Sequence, residues 1–323
     1  MNNPNCFFLD NKNVLFFNIF IKNSKLYLIT PLNKNNKINK STIKIIHNSH
    51  ELICVEQITK AKYEATQILI YNFEKPKNEI YKIEVLFDKT SKIFNLKHIE
   101  TEKKKKLALT TLFQTDYKLN TIYYDYYKKQ GVEHFYMYYN GKITDEIKSF
   151  YDKEDITLIE WDYIYWSKEA LYSRHYAQLG QMHDAIYRFG KDNCEYMIFC
   201  DLDEYLHLGE DKKLIDLVSD TTVDTYGFRN IWANTINSKI PDKFPNEFKI
   251  ANKEQWHKYR IRSKCIHKMD TVVHIGIHFG TQFNSDKMYL KDNFFLFHFH
   301  SWGGERTSKE TTPELINLET FKL

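Results

Sequence analysis

Between Leu107 and Leu206 the sequence alternates strand-length apolar runs with segments of helical periodicity. That order admits few architectures. Leu107–Phe113 reads as a first strand. From Asp116 onward, Leu119, Ile122, Tyr123, Tyr126 and Tyr127 fall at i, i+3, i+4, i+7 and i+8, one helical stripe that Gly131 stops. Val132–Tyr139 reads as a second strand, closed by an Asn140-Gly141 turn. A short helix through Ile147 and Phe150 leads to a third strand, Ile156–Trp161. A long helix over 168–189 then ends at Gly190, before the apolar run Tyr196–Cys200. Strands alternating with helices in this way predict an α/β fold with a doubly wound sheet. No Gly-x-Gly-x-x-Gly and no Walker loop is present, which disfavours the usual dinucleotide and P-loop classes.

The last of those strands ends in Asp201-Leu202-Asp203-Glu204. Open α/β sheets bind ligands at the carboxyl ends of their strands. If the chain stays extended there, Asp201 and Asp203 point the same way and Leu202 turns back into the core. Two hard oxygen ligands side by side suit Mg²⁺ or Mn²⁺, which would in turn hold phosphate oxygens. A bare Asp-x-Asp is common, and a solvated strand end with surface acids is the structural alternative.

The chain has 323 residues, enough for one large or two medium domains. Residues 1–104 differ in texture from the rest. Val14–Ile21, Lys25–Ile29, Thr42–Ile46, Leu52–Val55, Thr66–Phe73 and Tyr81–Phe87 are short β-branched and aromatic runs, separated by polar clusters. They predict a small all-β accessory domain for docking, oligomer contact, acceptor binding or structural support. The Lys103–Lys106 run reads as the linker into a second domain, 105–323. Beyond 211, strands are expected at Thr225–Trp232, Arg260–His267, Val272–Phe279 and Phe294–His300, with 233–259 as a long loop.

A net charge of +4 is too small for a nucleic-acid binder. Five cysteines without a CxxC pair argue for a reducing compartment, and no run approaches the length of a membrane span. A cytoplasmic protein without a membrane anchor is the expectation. The 16% aromatic content suits both cores and ligand-lined surfaces.

Several blocks resemble glycosyltransferase family 92 and its GT-A relatives. These are Tyr126–Tyr138, Gln178 through Asp184-Ala185, Phe199–Leu206, Lys264-Cys265-Ile266 followed by His278, and Leu296–His300. They occur in order over roughly 107–305. The resemblance implies a GT-A-type, Rossmann-like sheet with flanking helices. It implies transfer of a sugar from a nucleotide diphosphate sugar, UDP-linked, to a hydroxyl of a glycan or protein acceptor. It makes Asp203 a ligand of Mn²⁺ or Mg²⁺ and Asp201 a contact to ribose or metal-bound water. It also turns Gln178 and Asp184 toward the donor nucleotide. Two departures stand out: the family's Asn-Glu after the first strand is here Thr115-Asp116, and its Glu-Trp on the next helix is Ile122-Tyr123.

Further residues fit such chemistry. His298 and His300 share a strand face, and either could complete a metal site, with His298 at the family's position. His274 and His278 also share a face but stand roughly 13 Å apart, too far for one metal. Trp302-Gly303-Gly304-Glu305-Arg306 offers backbone N–H groups and a guanidinium suited to diphosphate. Lys264 and Arg262 are additional phosphate or acceptor contacts, and Arg174 lies near helical spacing from Gln178. An inverting enzyme needs a base. Glu254 and Asp270 are candidates, with Asp242 and Glu247 behind them, while Trp232 and Trp256 could stack on sugars. Three other readings compete: a metal-dependent phosphohydrolase using His183-Asp184, a glycoside hydrolase built on a carboxylate pair, and a noncatalytic carbohydrate-binding or structural protein.

Overall fold

The structure is a computed structural model that describes residues 4–32, 38–59, 66–74, 80–168, 176–209, 212–219, 222–237, 239–251, 262–278, 288–299, 301–302 and 318–323. Before residue 98 the described elements are strands. They are β1 (Phe7–Phe8), β2 (Val14–Phe16), β3 (Asn18–Lys22), β4 (Lys25–Pro31), β5 (Ile43–His47), β6 (His50–Glu51), β7 (Cys54–Ile58), β8 (Thr66–Asn72), β9 (Ile80–Phe87) and β10 (Thr90–Lys97). Two four-stranded antiparallel sheets, ordered β3-β4-β8-β7 and β10-β9-β5-β6, account for most of them. Asn23-Ser24 and Asn48-Ser49 supply two consecutive positive φ angles each, the requirement of a two-residue hairpin loop. The single run expected over Val14–Ile21 is two strands, broken at Phe17. Strand β10 was not expected, because only Phe94 and Leu96 of its eight residues are buried.

The second half runs β11 (Lys105–Phe113), α1 (Asn120–Lys129), β12 (His134–Tyr139), α2 (Asp145–Tyr151), β13 (Ile156–Glu160), α3 (Tyr176–Asp184), a π-helical turn Ala185–Gly190, and β14 (Cys194–Phe199). After these come β15 (Glu204–Leu208), β16 (Thr225–Asn234), β17 (Glu247–Ala251), β18 (Lys264–Lys268), β19 (Met288–His298) and β20 (Leu318–Lys322). One ten-stranded mixed sheet joins them, with the path β13-β12-β11-β14-β18-β16-β17-β20 and β15 paired to β19. Strands β11 to β14 are mutually parallel, and β18 adds on antiparallel to β14.

Alternation along β11 sorts its side chains into two layers. Leu107, Leu109 and Phe113 join α1 and α2 in one core, while Ala108 and Leu112 join α3 in another. Gly131 ends α1 at φ +90, and a Cβ there would lie 2.5 Å from Ile215.

The second core does not stop at the expected boundary near 104. Phe17, Phe20, Ile29, Ile68 and Ile70 of the amino-terminal strands pack with Trp161, Tyr176, Ala185 and Met269. Gly180 allows this approach, since a Cβ would stand 2.7 Å from the Phe17 ring. Two expectations need correction. The segment 233–259 contains β17, which pairs with β16 and β20. Val272–His278 has no strand: the Ile275 N–H donates to the His183 ring (3.3 Å) rather than to a ladder, and the His274 ring meets the Thr66 carbonyl (3.0 Å). Among the described residues no helix is long and apolar enough to cross a membrane.

Candidate active site

In the order β12-β11-β14, the first connection leaves β11 toward β12, while β14 pairs on β11's other side. The crevice between β11 and β14 is therefore the topological switch point, where such sheets take ligands. Asp116 follows β11 and Asp201 follows β14, so one acid stands on each lip.

The acid segment is a turn and not the extended continuation expected from sequence. The Glu204 N–H donates to the Asp201 carbonyl (3.1 Å), and the Asp201 N–H donates to Glu204 Oε2 (2.9 Å). The chain then reverses into β15, which pairs Glu204 with His298 of β19. Helix α1 pins this reversal through the stripe visible in the sequence. Tyr123 donates to the Cys200 carbonyl (3.1 Å), Tyr127 to Glu204 (2.9 Å) and Tyr126 to Leu206 (2.8 Å). The Tyr127 hydroxyl also accepts from the Leu206 N–H at 3.1 Å.

Four elements converge on the turn. From α3, Gln178 Nε2 donates to Asp201 Oδ1 at 3.0 Å, and Tyr165 donates its hydroxyl to Gln178 Oε1 at 2.7 Å. From β18, Lys264 Nζ reaches Asp201 Oδ2 at 2.9 Å and Glu204 Oε2 at 3.2 Å. Burial works against the Lys264 ammonium, but Asp201 and Glu204 outweigh it and hold its pKa above the usual lysine value. Burial likewise raises the Glu204 carboxyl, with Lys264 opposing. From β19, His298 Nε2 lies 3.4 Å from Asp203 Oδ2, and its Nδ1 faces Asn230 Oδ1 at 3.2 Å. Across the crevice the Asp116 carboxyl is pushed up to about 6, by burial first and then by Asp203 and Asp201.

Asp203 and His298 fit a divalent cation: two ligands at about 2.1 Å from one ion stand roughly 3 Å apart. Asp201 fits less well, because Gln178 and Lys264 already occupy both of its oxygens. Among the described residues no three His, Cys, Asp or Glu groups are spaced to enclose an ion. A cation there would take its remaining ligands from phosphate and water, the habit of Mg²⁺.

Other expected site residues lie elsewhere. Asp184 is fully buried and accepts from Asn18 (2.7 Å) and Tyr138 (2.7 Å), with Arg188 at 3.7 Å, so no nucleotide can reach it. Its carboxyl is raised by burial against those partners. The buried His183 ring packs against that of His274, tilted by 51° with centroids 3.9 Å apart, which removes the pair proposed for phosphohydrolase chemistry. Asp270 follows β18 near the start of β14, roughly 20 Å of strand from Asp201, and pairs with Lys104 at 3.1 Å. That distance rules it out as a base. Glu247 is exposed beside Lys322, and Trp232 is buried against His298 and cannot stack on a sugar. Thr115 is exposed at the lip. His300, Glu254, Arg306, Arg174, Trp256 and Gly303-Gly304-Glu305 lie outside the described residues. Glu204, Tyr165 and Asn230 carry contacts that no sequence signal assigned: Glu204 meets Lys264, Tyr165 meets Gln178 and Asn230 meets His298.

A family model for glycosyltransferase family 92 matches residues 122–322, more than half of the chain. The chain belongs to glycosyltransferase family 92. Among solved structures, the mannosyltransferase Ktr4p from S. cerevisiae is similar at 11% identity, with 40% of each chain covered and a TM-score of 0.28. This chain thus spans well under half of that structure, and so slight a likeness carries no weight for fold or function. No curated protein matches the sequence.

Proposed function

We propose that this chain transfers a hexosyl group from a UDP-linked or similar nucleoside diphosphate sugar to an acceptor hydroxyl on a glycan, protein or small molecule. The observation that carries the proposal is an acid turn at the switch-point crevice of a family 92 chain. Asp203 and His298 would hold Mn²⁺ or Mg²⁺. Such an ion supplies charge stabilisation to a departing diphosphate. Asp201, oriented by Gln178 and Lys264, would accept from a ribose hydroxyl with a lone pair that those two contacts leave open. Lys264 keeps a positive charge beneath the turn, which limits repulsion between the acids and an incoming diphosphate. Five cysteines without a CxxC pair favour a reducing compartment such as the cytoplasm.

A thermal-shift screen of nucleotides with and without Mn²⁺ tests this reading. A ligand at about 100 times its Kd stabilises the fold by about 2.7 kcal/mol, an easily read rise in Tm. The expected result is metal-dependent stabilisation by one nucleoside diphosphate, lost in Asp203→Ala. A flat response to every nucleotide with every divalent ion would refute it.

A further inference from the structure

The neighbours of His298 treat its two ring nitrogens differently. Glu204 of β15 stands opposite it on one side of β19, and Trp232 of β16 stands opposite it on the other. The Trp232 and His298 rings pack with centroids 4.6 Å apart, tilted by 38°, which fixes the plane of the imidazole. Asn230 lies two residues back on β16, on the same face as Trp232, and is fully buried. Its Oδ1 is 3.2 Å from His298 Nδ1, and Glu204 Oε1 is 3.5 Å from the same nitrogen. The other nitrogen, Nε2, faces Asp203 Oδ2 at 3.4 Å.

A neutral imidazole carries one proton, on one nitrogen or the other. On Nδ1 that proton meets two oxygens, the nearer belonging to the Asn230 amide. On Nε2 it meets Asp203 and uses up the lone pair that an ion would need. The two sides compete for a single proton, and the Nδ1 side has both the shorter contact and the second acceptor. The burial of Asn230 points the same way. Among the described residues its Nδ2 has no hydrogen-bond partner, a cost that an apolar side chain of similar size would avoid. What the asparagine supplies in return is its oxygen.

We propose that Asn230 is a positioning residue for the ion site. Its amide oxygen keeps the proton on Nδ1, so that His298 presents its Nε2 lone pair beside Asp203. This rests on the reading of Asp203 and His298 as the pair that would hold Mn²⁺ or Mg²⁺. Asn230 acts only through the ring.

Nitrogen NMR of the full chain with isotope-labelled histidine distinguishes the two tautomers with no metal bound. In mildly alkaline buffer the signal that disappears in His298→Ala should be that of an Nδ1–H ring. Asn230→Leu, similar in size but without the acceptor, should move the proton toward Nε2. It should also weaken Mn²⁺ binding, titrated with inorganic pyrophosphate or UDP present, about 10- to 100-fold. Asn230→Asp, which keeps an acceptor opposite Nδ1, should retain most of both properties. Should Asn230→Leu not fold, Asn230→Ser, too short to reach Nδ1, takes its place. The proposal is overturned, alone, if a Mn²⁺-binding wild type carries the His298 proton on Nε2. It is overturned in the same way if removing the acceptor leaves either the tautomer or the Mn²⁺ affinity unaltered. If wild type takes no Mn²⁺ with either anion, the ion-site reading falls and this inference with it.

Discussion

Lys264 Nζ lies 2.9 Å from Asp201 Oδ2 with only 3% of the lysine side chain exposed. The same ammonium meets Glu204, whose side chain is 2% exposed, so one buried cation serves two carboxylates. Neighbouring strands make this unavoidable: Cys265 pairs with Phe199, which sets Lys264 alongside the start of the acid turn.

Lys264→Met should cost about 3–5 kcal/mol of stability, toward the lower end because Asp201 still reaches water. Urea denaturation at neutral pH measures it. Adding Glu204→Gln to that variant should recover part of the loss. A cost below about 1 kcal/mol would show that the lysine is not needed as a counter-ion.

His298→Ala should abolish the Mn²⁺-dependent part of nucleotide stabilisation while leaving the metal-free Tm within a few degrees. The reason is its 3.4 Å approach to Asp203, which suits two ligands of one ion. Calorimetric titration of Mn²⁺ in the presence of the preferred nucleotide checks this. Unchanged Mn²⁺ affinity would remove His298 from the site.

Tyr127→Phe removes a hydroxyl that both donates to Glu204 and accepts from Leu206. Leaving those two buried backbone groups unsatisfied should cost about 1–3 kcal/mol. Tyr126→Phe, which loses a single donated bond, should cost less. Equal and negligible costs in denaturant melts would mean that α1 does not pin the turn.

Acid should destabilise the fold before most carboxylates titrate. Burial lowers His267 to about 3, and His207 to about 4. Both are therefore neutral in the native state but bind protons near 6.5 when unfolded. With folded values depressed, their stability is fully present above 6.5 and is lost as pH falls toward the folded values. Each such group contributes a slope of about 1.4 kcal/mol per pH unit within its window. His267→Gln, which stays neutral and can still meet Thr225, should show a shallower fall in Tm from pH 7 to 5. Identical slopes would contradict the assignment.

The amino-terminal strands should be inseparable from the rest. Asn18 bonds Asp184, the Val14 N–H donates to Tyr176 (3.2 Å), and Phe17 fills the hollow at Gly180. Residues 105–323 expressed alone would expose that apolar face and leave Asp184 short of a partner, so no cooperative melt is expected. A soluble fragment with a sharp transition would instead establish an independent domain.

The stripe of Leu119, Ile122, Tyr123, Tyr126 and Tyr127 and the apolar runs of β11, β12 and β14 were legible because their periods record which face is buried. The order of these elements, with the blocks that resemble family 92, was enough to point to an α/β glycosyltransferase and to the neighbourhood of Asp201. Local sequence could not report that Asp201 to Glu204 turns rather than extends, since a Glu204 side chain closes that turn and three tyrosines hold it. Nor could it tell Gln178, which meets the acid turn, from Asp184, which is sealed beneath Asn18 and Tyr138. Both sit on one helix, and their separation depends on which residues far away in sequence cover each face. Periodicity reads burial along one element, whereas Lys264 and His298 owe their places to contacts between elements that only the assembled sheet brings together.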